Sequence, residues 1–344
     1  MIIPFQEKQR EQFYRLLDKV FDSSYWSEGE MTRVFEDKFG EYVGVESRAV
    51  VNGGAGLLAI LDYIDVKGHD VIVPANTFWA TAQAVKKTGG RIIYADSNRS
   101  DLCLSFEDIK RKVTSDTRAV IVVHIGGHIA FEIEKISEYC HQNNIYLIED
   151  CAHVHGASWN GKKGGNFGFA GSYSFYATKT LPIGEGGMVV SGDKEFLSWL
   201  EKYRNYGKYV IDGKVCYPVK NGFNYRMSEF SAALGIVQLE HLSEILDWKR
   251  SLAAKYDAIF ERKVVLPEGM ISGYYKYIVF DYPRLREVTG QVFGINDLGC
   301  RIEGLDLHLE NAEWIVAHHQ CPPMYYGWEY ADKSIDELRD ILFK

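Results

Sequence analysis

No apolar run in this chain approaches the ~20 residues that a membrane span requires, so the sequence predicts no transmembrane segment. Paired cysteine spacing is missing too. Cysteines 103, 140, 151, 216, 300 and 321 are scattered, as expected in a reducing compartment rather than in a disulfide framework. No basic tract offsets the net charge of −8, which argues against a nucleic-acid or anionic-membrane partner. Met1-Ile-Ile-Pro-Phe-Gln-Glu-Lys-Gln-Arg10 lacks the basic start and apolar core of a signal peptide, so a cytoplasmic location is expected. Internal repeats and low-complexity segments are absent as well. What is there is 344 residues of ordinary globular composition, enough for two domains.

Short apolar runs alternate with helical patterns. Val71–Pro74, Arg91–Ala95, Ala119–Val123 and Ile145–Ile148 read as buried strands, with helices at 6–22, 31–42, 106–113 and 129–143. Strands apolar on both faces and alternating with helices predict an α/β fold, a parallel sheet covered on both sides. A helical stretch at 228–260 is expected to lead into a second domain. That domain would hold a strand at 272–282 and a closing helix at 334–343. The expected boundaries are 1–245 and 246–344.

Chemistry concentrates around Lys179. Gly171-Ser-Tyr-Ser-Phe-Tyr-Ala-Thr-Lys179 is followed by Gly184-Glu-Gly-Gly187, and Asp150 closes an earlier apolar run. A lysine and a carboxylate so placed suit pyridoxal phosphate. The amine holds the cofactor as a Schiff base, and the carboxylate keeps the pyridine nitrogen protonated. Taken alone, each neighbouring signal has a plainer reading. Asp150 can be a helix cap, His153 a core or surface imidazole, Phe78 a core aromatic and Ser174 an ordinary strand serine. Asn52-Gly-Gly-Ala-Gly56 before Leu57-Leu-Ala-Ile-Leu61 is either a phosphate site at a helix start or a tight turn. It does not match the dinucleotide fingerprint. Gly156-Ala-Ser-Trp-Asn-Gly-Lys162 is not a nucleotide-triphosphate loop, because Lys163 stands where Ser or Thr would bind magnesium. A metal site at Asp150, His153 and His155 lacks a completing ligand and gives Lys179 no role, and His318-His-Gln-Cys321 reads as a surface loop.

In order along the chain stand Trp26-Ser-Glu-Gly29, Phe35-Glu36, Asn52-Gly-Gly-Ala-Gly-Leu57 and Val71-Ile-Val-Pro-Ala-Asn-Thr-Phe-Trp-Ala-Thr81. Val123-His-Ile-Gly-Gly127, Ile148-Glu-Asp-Cys-Ala-His153, Ser174-Phe-Tyr-Ala-Thr-Lys179, Gly184-Glu-Gly-Gly-Met188, Arg204-Asn-Tyr-Gly207 and Gly222-Phe-Asn-Tyr-Arg-Met227 follow. Together they resemble the DegT/DnrJ/EryC1/StrS family of sugar aminotransferases, of fold type I in the aspartate aminotransferase superfamily. The likeness runs from Phe5 to about Leu242 and more faintly beyond. It implies a large domain with a mixed, mostly parallel seven-stranded sheet, a small C-terminal α+β domain and a homodimer with shared sites. By the same resemblance Lys179 carries the cofactor and Asp150 pairs with its ring nitrogen. His153 bonds the phenolic oxygen and Phe78 stacks on the ring. Ser174 with the backbone at Gly54 and Ala55 holds the phosphate, joined by Asn224 of the partner subunit. The implied reaction turns a keto group of a nucleotide-linked sugar into an amine, with L-glutamate as donor. Two departures stand out. Gly54 replaces the family's threonine, and the segment around Gly294–Gly304 is shorter than the family's, which keeps a keto-cyclitol or another small ketone open as substrate. A cofactor-binding sensor without turnover is a further alternative, against which the Lys179–Asp150 pair argues.

Overall fold

The computed structural model describes residues 5–283, 285–287 and 290–343, so the first four residues of the N-terminal reading lie outside it. Seven strands form the main sheet. In spatial order they are Ser47–Val50, Gly187–Val190, Ala170–Ser174, Tyr146–Asp150, Thr117–Val123, Asp70–Pro74 and Arg91–Ala95. Within this sheet Gly187–Val190 alone runs against its neighbours, pairing antiparallel with strands 47–50 and 170–174. The other pairings are parallel. This is the mixed, mostly parallel sheet expected.

The apolar composition of the central strands explains their place. All five residues of Asp70–Pro74 are buried, as are Ala119 to Val123. Removing each Val or Ile side chain from water contributes ~1.5–3 kcal/mol, so these strands belong in the middle of a covered sheet. The flanking helices start on side-chain caps. Ser105 accepts from Asp108 N (3.4 Å), Asp193 from Phe196 N (2.9 Å) and Ser228 from Ser231 N (3.2 Å). No helix among the described residues is long and apolar enough to cross a membrane.

Three sequence expectations need correction. His318-His-Gln-Cys321 is not a surface loop, since His319–Gln320 is a paired strand and both His319 and Cys321 are buried. The stretch 228–260 is two helices, Glu229–Glu240 and Leu242–Asp257, broken at His241 with φ −101° and ψ 2°. Residues 272–282 do not form one long strand, since only Val279–Phe280 pairs, with His319–Gln320. The physical reason is that Tyr274 and Asp281 adopt left-handed conformations, with φ 45° and 56°, so the extended run is interrupted at both ends. Lys276 N donates instead to Gly126 O (2.8 Å). The helix Ile335–Phe343 closes the chain as expected. A second apolar cluster gathers Leu252, Tyr256, Phe260, Tyr277, Val279, Trp328, Leu338 and Leu342.

Candidate active site

Parallel strands present their C-terminal ends to one edge, where ligands bind in open α/β sheets. Asp150 is the last residue of strand Tyr146–Asp150, Ser174 is the last of Ala170–Ser174, and Phe78 follows Asp70–Pro74 by a few residues. Lys179 lies in the connection between Ala170–Ser174 and Gly187–Val190. Bonds from Phe175 N to Gly186 O (2.8 Å) and from Ile183 N to Phe175 O (2.9 Å) carry the ladder into that loop. Lys179 N closes a turn onto Tyr176 O (2.9 Å). The glycines after it have separate tasks. Gly184 takes a φ of 86°, and a Cβ on Gly187 would lie 2.4 Å from the Asn52 carbonyl carbon. The strand must therefore be bare where it passes the start of helix Gly53–Tyr63.

The Lys179 ammonium is half-buried and stands 5.0 Å from the Tyr275 ring centroid. Burial pushes its pKa down to about 8. The Asp150 carboxylate works against that shift, and the Lys276 charge adds to it. Asp150 is buried. Its Oδ2 accepts from the Thr81 hydroxyl (3.0 Å) and its Oδ1 from Ala152 N (3.1 Å). Burial raises the pKa of this carboxyl, opposed by those two donors and by Lys179. Thr77 and Thr81 share a 2.8 Å hydroxyl contact, so Thr77 orients the group that orients Asp150.

The His153 ring stacks on Tyr275 at 4.1 Å between centroids, and its buried Nδ1 has no hydrogen-bond partner. Burial, followed by the charges of Lys179 and Lys276, holds its pKa well below the usual histidine range, so the imidazole is neutral at pH 7. Phe78, the residue before helix Trp79–Lys87, leaves its ring 81% exposed. An aromatic that open at a strand's catalytic edge is available to stack on a flat ligand.

Gly54, Ala55 and Ser174 also come together. A Cβ on Gly53 would lie 3.1 Å from Ser174 Cβ, so Ser174 sits against the first turn of helix Gly53–Tyr63. Ala55 N donates to Asn52 Oδ1 at 2.8 Å, so that N–H is already engaged, a competition the sequence reading did not include. Gly54 N–H remains among the first-turn donors, which have no acceptor within the helix. A side chain at 54 would make only ordinary contacts, 3.4 Å to Asn52 Oδ1 and 3.7 Å to Ala80 Cβ, so the backbone does not demand glycine there. Asn224 stands apart on an exposed segment bridged to Asn205, and its Oδ1 accepts from Arg226 N (3.5 Å).

Three further groups support the cluster without a clear sequence signal. Thr81 was visible only as part of a motif, and Tyr275 carried no signal. Glu149 faces the opposite side of the strand from Asp150. There its carboxylate accepts from His124 Nε2 (3.0 Å), Gly165 N (2.7 Å), Phe167 N (2.6 Å) and Gly168 N (2.7 Å). His124, Glu149 and Cys151 lie close enough to hold a metal. However, those four donors occupy Glu149, and His124 Nδ1 accepts from Ala130 N (3.1 Å), so the two are spent on structure.

The arrangement suits a flat, electron-withdrawing aldehyde that carries an anionic phosphate. It offers an amine of lowered pKa, a carboxylate held by two donors and a neutral imidazole with an unpartnered nitrogen. It adds an open aromatic and a helix start beside a serine. Residues 7–270 match the model of the DegT/DnrJ/EryC1/StrS aminotransferase family. The chain belongs to that family. A GDP-perosamine synthase of Vibrio cholerae is 36% identical over 245 residues, covering 70% of this chain and 66% of that protein, just under two thirds of its length. A UDP-4-amino-4,6-dideoxy-N-acetyl-beta-L-altrosamine transaminase of Campylobacter jejuni is 31% identical over 331 residues, 94% of this chain and 84% of its own. Among solved structures, S. venezuelae DesV in complex with a ketimine intermediate superposes with a TM-score of 0.87 at 25% identity, covering 98% of each chain. DegT/DnrJ/EryC1/StrS membership and this likeness together make the chain a fold-type-I aminotransferase in architecture.

Proposed function

We propose that this family member is a pyridoxal-phosphate-dependent aminotransferase that aminates the keto group of a nucleotide-linked sugar, with L-glutamate as amino donor. The observation that carries the reading is the Lys179 amine of lowered pKa within electrostatic reach of buried Asp150, at the C-terminal edge of the sheet. The relatives' names, which specify GDP- and UDP-linked amino sugars, support the substrate class. When bound, the cofactor supplies an electron-poor ring that takes up the electron pair released at the donor's reacting carbon.

The chain's own residues do the rest. Lys179 would hold the cofactor covalently, and its amine would move the proton at the donor's reacting carbon, for which a pKa of about 8 leaves a sizeable basic fraction near neutral pH. Asp150, fixed by Thr81 and Ala152, would hold a proton on the ring nitrogen. Neutral His153 would bond the phenolic oxygen, Phe78 would cover one ring face, and Ser174 with Gly54 and Ala55 would hold the phosphate. Ala55 would have to exchange Asn52 Oδ1 for that anion.

The same reading makes the enzyme a cytoplasmic homodimer, divided into domains at 1–245 and 246–344, with Asn224 serving the partner's phosphate. The exposed hairpin Tyr209–Ile211/Lys214–Cys216 supports a second copy. It leaves Val210, Ile211 and Val215 about half exposed, and Phe223 beside Asn224 is exposed too. Borohydride treatment of the purified protein, which is expected to be yellow, followed by peptide mapping, tests the assignment. The label is expected on Lys179, with Lys179→Ala losing both the visible band and turnover. A label on another lysine would overturn it. A half-reaction screen of ketosugars against the aminated cofactor then identifies the substrate.

A further inference from the structure

A second lysine enters this region from the segment 272–278. Gly273 N and Ser272 Oγ both donate to Gly127 O (2.8 Å each), and Lys276 N donates to Gly126 O (2.8 Å). The segment is thereby tied to the turn that follows strand Thr117–Val123. The Tyr275 ring then becomes a shared platform. Its centroid lies 4.1 Å from the His153 ring, 5.0 Å from Lys179 Nζ and 5.7 Å from Lys276 Nζ. Nearby, fully buried Lys249 donates to Tyr274 O (3.2 Å) and Met324 O (2.5 Å).

Three lysines thus converge. Asp150 is the carboxylate that acts on Lys179, but Lys276 makes no ion pair among the described residues. Its charge is felt at Lys179, His153, Lys249 and His319, lowering the proton affinity of each. A half-buried cation with no ion-pair partner among the described residues, standing on the same ring as the Lys179 amine, gains most from an anion that arrives with the substrate.

We propose that Lys276 binds the carboxylate of the amino-acid donor. The placement favours this anion over the diphosphate of a nucleotide sugar. Lys276 and Lys179 stand on the same aromatic ring, and an amino acid's carboxylate is bonded to the very carbon that reacts at Lys179. The diphosphate of a nucleotide sugar is separated from its keto carbon by the sugar ring. The inference rests on the aminotransferase reading above, and its test separates the two.

Calorimetry of the purified holoenzyme with maleate, a non-reacting dicarboxylate, measures the site directly. Single-turnover absorbance with L-glutamate measures half-saturation. In Lys276→Met and Lys276→Gln both constants should weaken by about 10- to 100-fold, the range of one charge-assisted hydrogen bond. Lys276→Arg should recover most of the loss, and binding of uridine diphosphate should stay within about threefold of wild type. The proposal is overturned if wild type does not bind maleate, or if maleate and glutamate bind the Met and Gln variants as they bind wild type. A loss confined to uridine diphosphate overturns it as well. A wild-type protein that takes no borohydride label at Lys179 defeats the aminotransferase reading instead, and the calorimetry still decides whether Lys276 binds carboxylate.

Discussion

A pKa of about 8 for Lys179 makes covalent capture of an aldehyde depend on pH in a defined way. An ordinary lysine at 10.5 is neutral in roughly 1 part in 3,000 at pH 7, while one at 8 is neutral in roughly 1 part in 10, a gain of about 300-fold in reactive amine. Protein stripped of cofactor and mixed with pyridoxal phosphate in a stopped-flow instrument should bind it with a rate that climbs from pH 6 and levels off above a midpoint near 8. Asp150→Asn supplies the perturbation. Asp150 raises the Lys179 pKa, so removing its charge should move the midpoint below that of wild type. The linkage to stability has its own sign. Lys179 has a folded pKa below its unfolded one, so between about 8 and 10.5 the unfolded chain binds more protons. Stability from this group therefore rises with pH across that window and is flat below it. A capture midpoint near 10 in wild type, or an upward shift in Asp150→Asn, would refute the electrostatic account of the site.

Asp150→Asn should also retain the cofactor yet slow the half-reaction with glutamate by several orders of magnitude, since an amide does not hold the ring nitrogen protonated; near-normal rates would transfer that role to another residue. Refolding Lys179→Ala together with a disabling Asn224 variant should return about a quarter of wild-type activity, because about half the dimers are mixed and each of those has one intact site; no recovery beyond the residual activity of the Asn224 variant would place Asn224 in its own subunit's site. Glu229, buried at the start of helix Glu229–Glu240, accepts from Gly29 N (3.0 Å), Met31 N (2.7 Å) and Thr32 N (3.0 Å). Counting the Thr32 hydroxyl, which also donates to Glu229, the change Glu229→Ala strands four buried donors at ~1–3 kcal/mol each, so urea unfolding should show a loss of about 4 kcal/mol or more, and a loss under about 1 kcal/mol would contradict this role.

What was legible in the sequence follows from where the physical constraint is local. The runs Val71–Pro74 and Ala119–Val123 could be read from the sequence because burial on both faces requires an unbroken apolar run. Gly187 was visible in Gly-Glu-Gly-Gly because close backbone approach tolerates no side chain, whatever lies opposite. The break at His241 was not legible, since no glycine or proline marks it and the helical pattern continues on both sides. Asp150 and Lys179 announced themselves through residues beside them in the chain. Their supports did not. Thr81 reaches Asp150 across 69 positions, and Tyr275 meets His153 and Lys179 only because Tyr274 takes a left-handed turn and the loop at Gly126-Gly127 holds the segment in place. A sequence pattern records what a residue needs from its neighbours in the chain. The electrostatics of Lys179 are set by burial, by Asp150 and by Lys276, and two distant segments bring those charges to an amine that stands on the Tyr275 ring. Replacing Tyr275 with leucine, which keeps bulk but removes the ring face, should therefore disturb the lysine's capture midpoint although no sequence motif includes that tyrosine. An unchanged midpoint in Tyr275→Leu would mean that burial alone sets the Lys179 amine and that the ring only fills space.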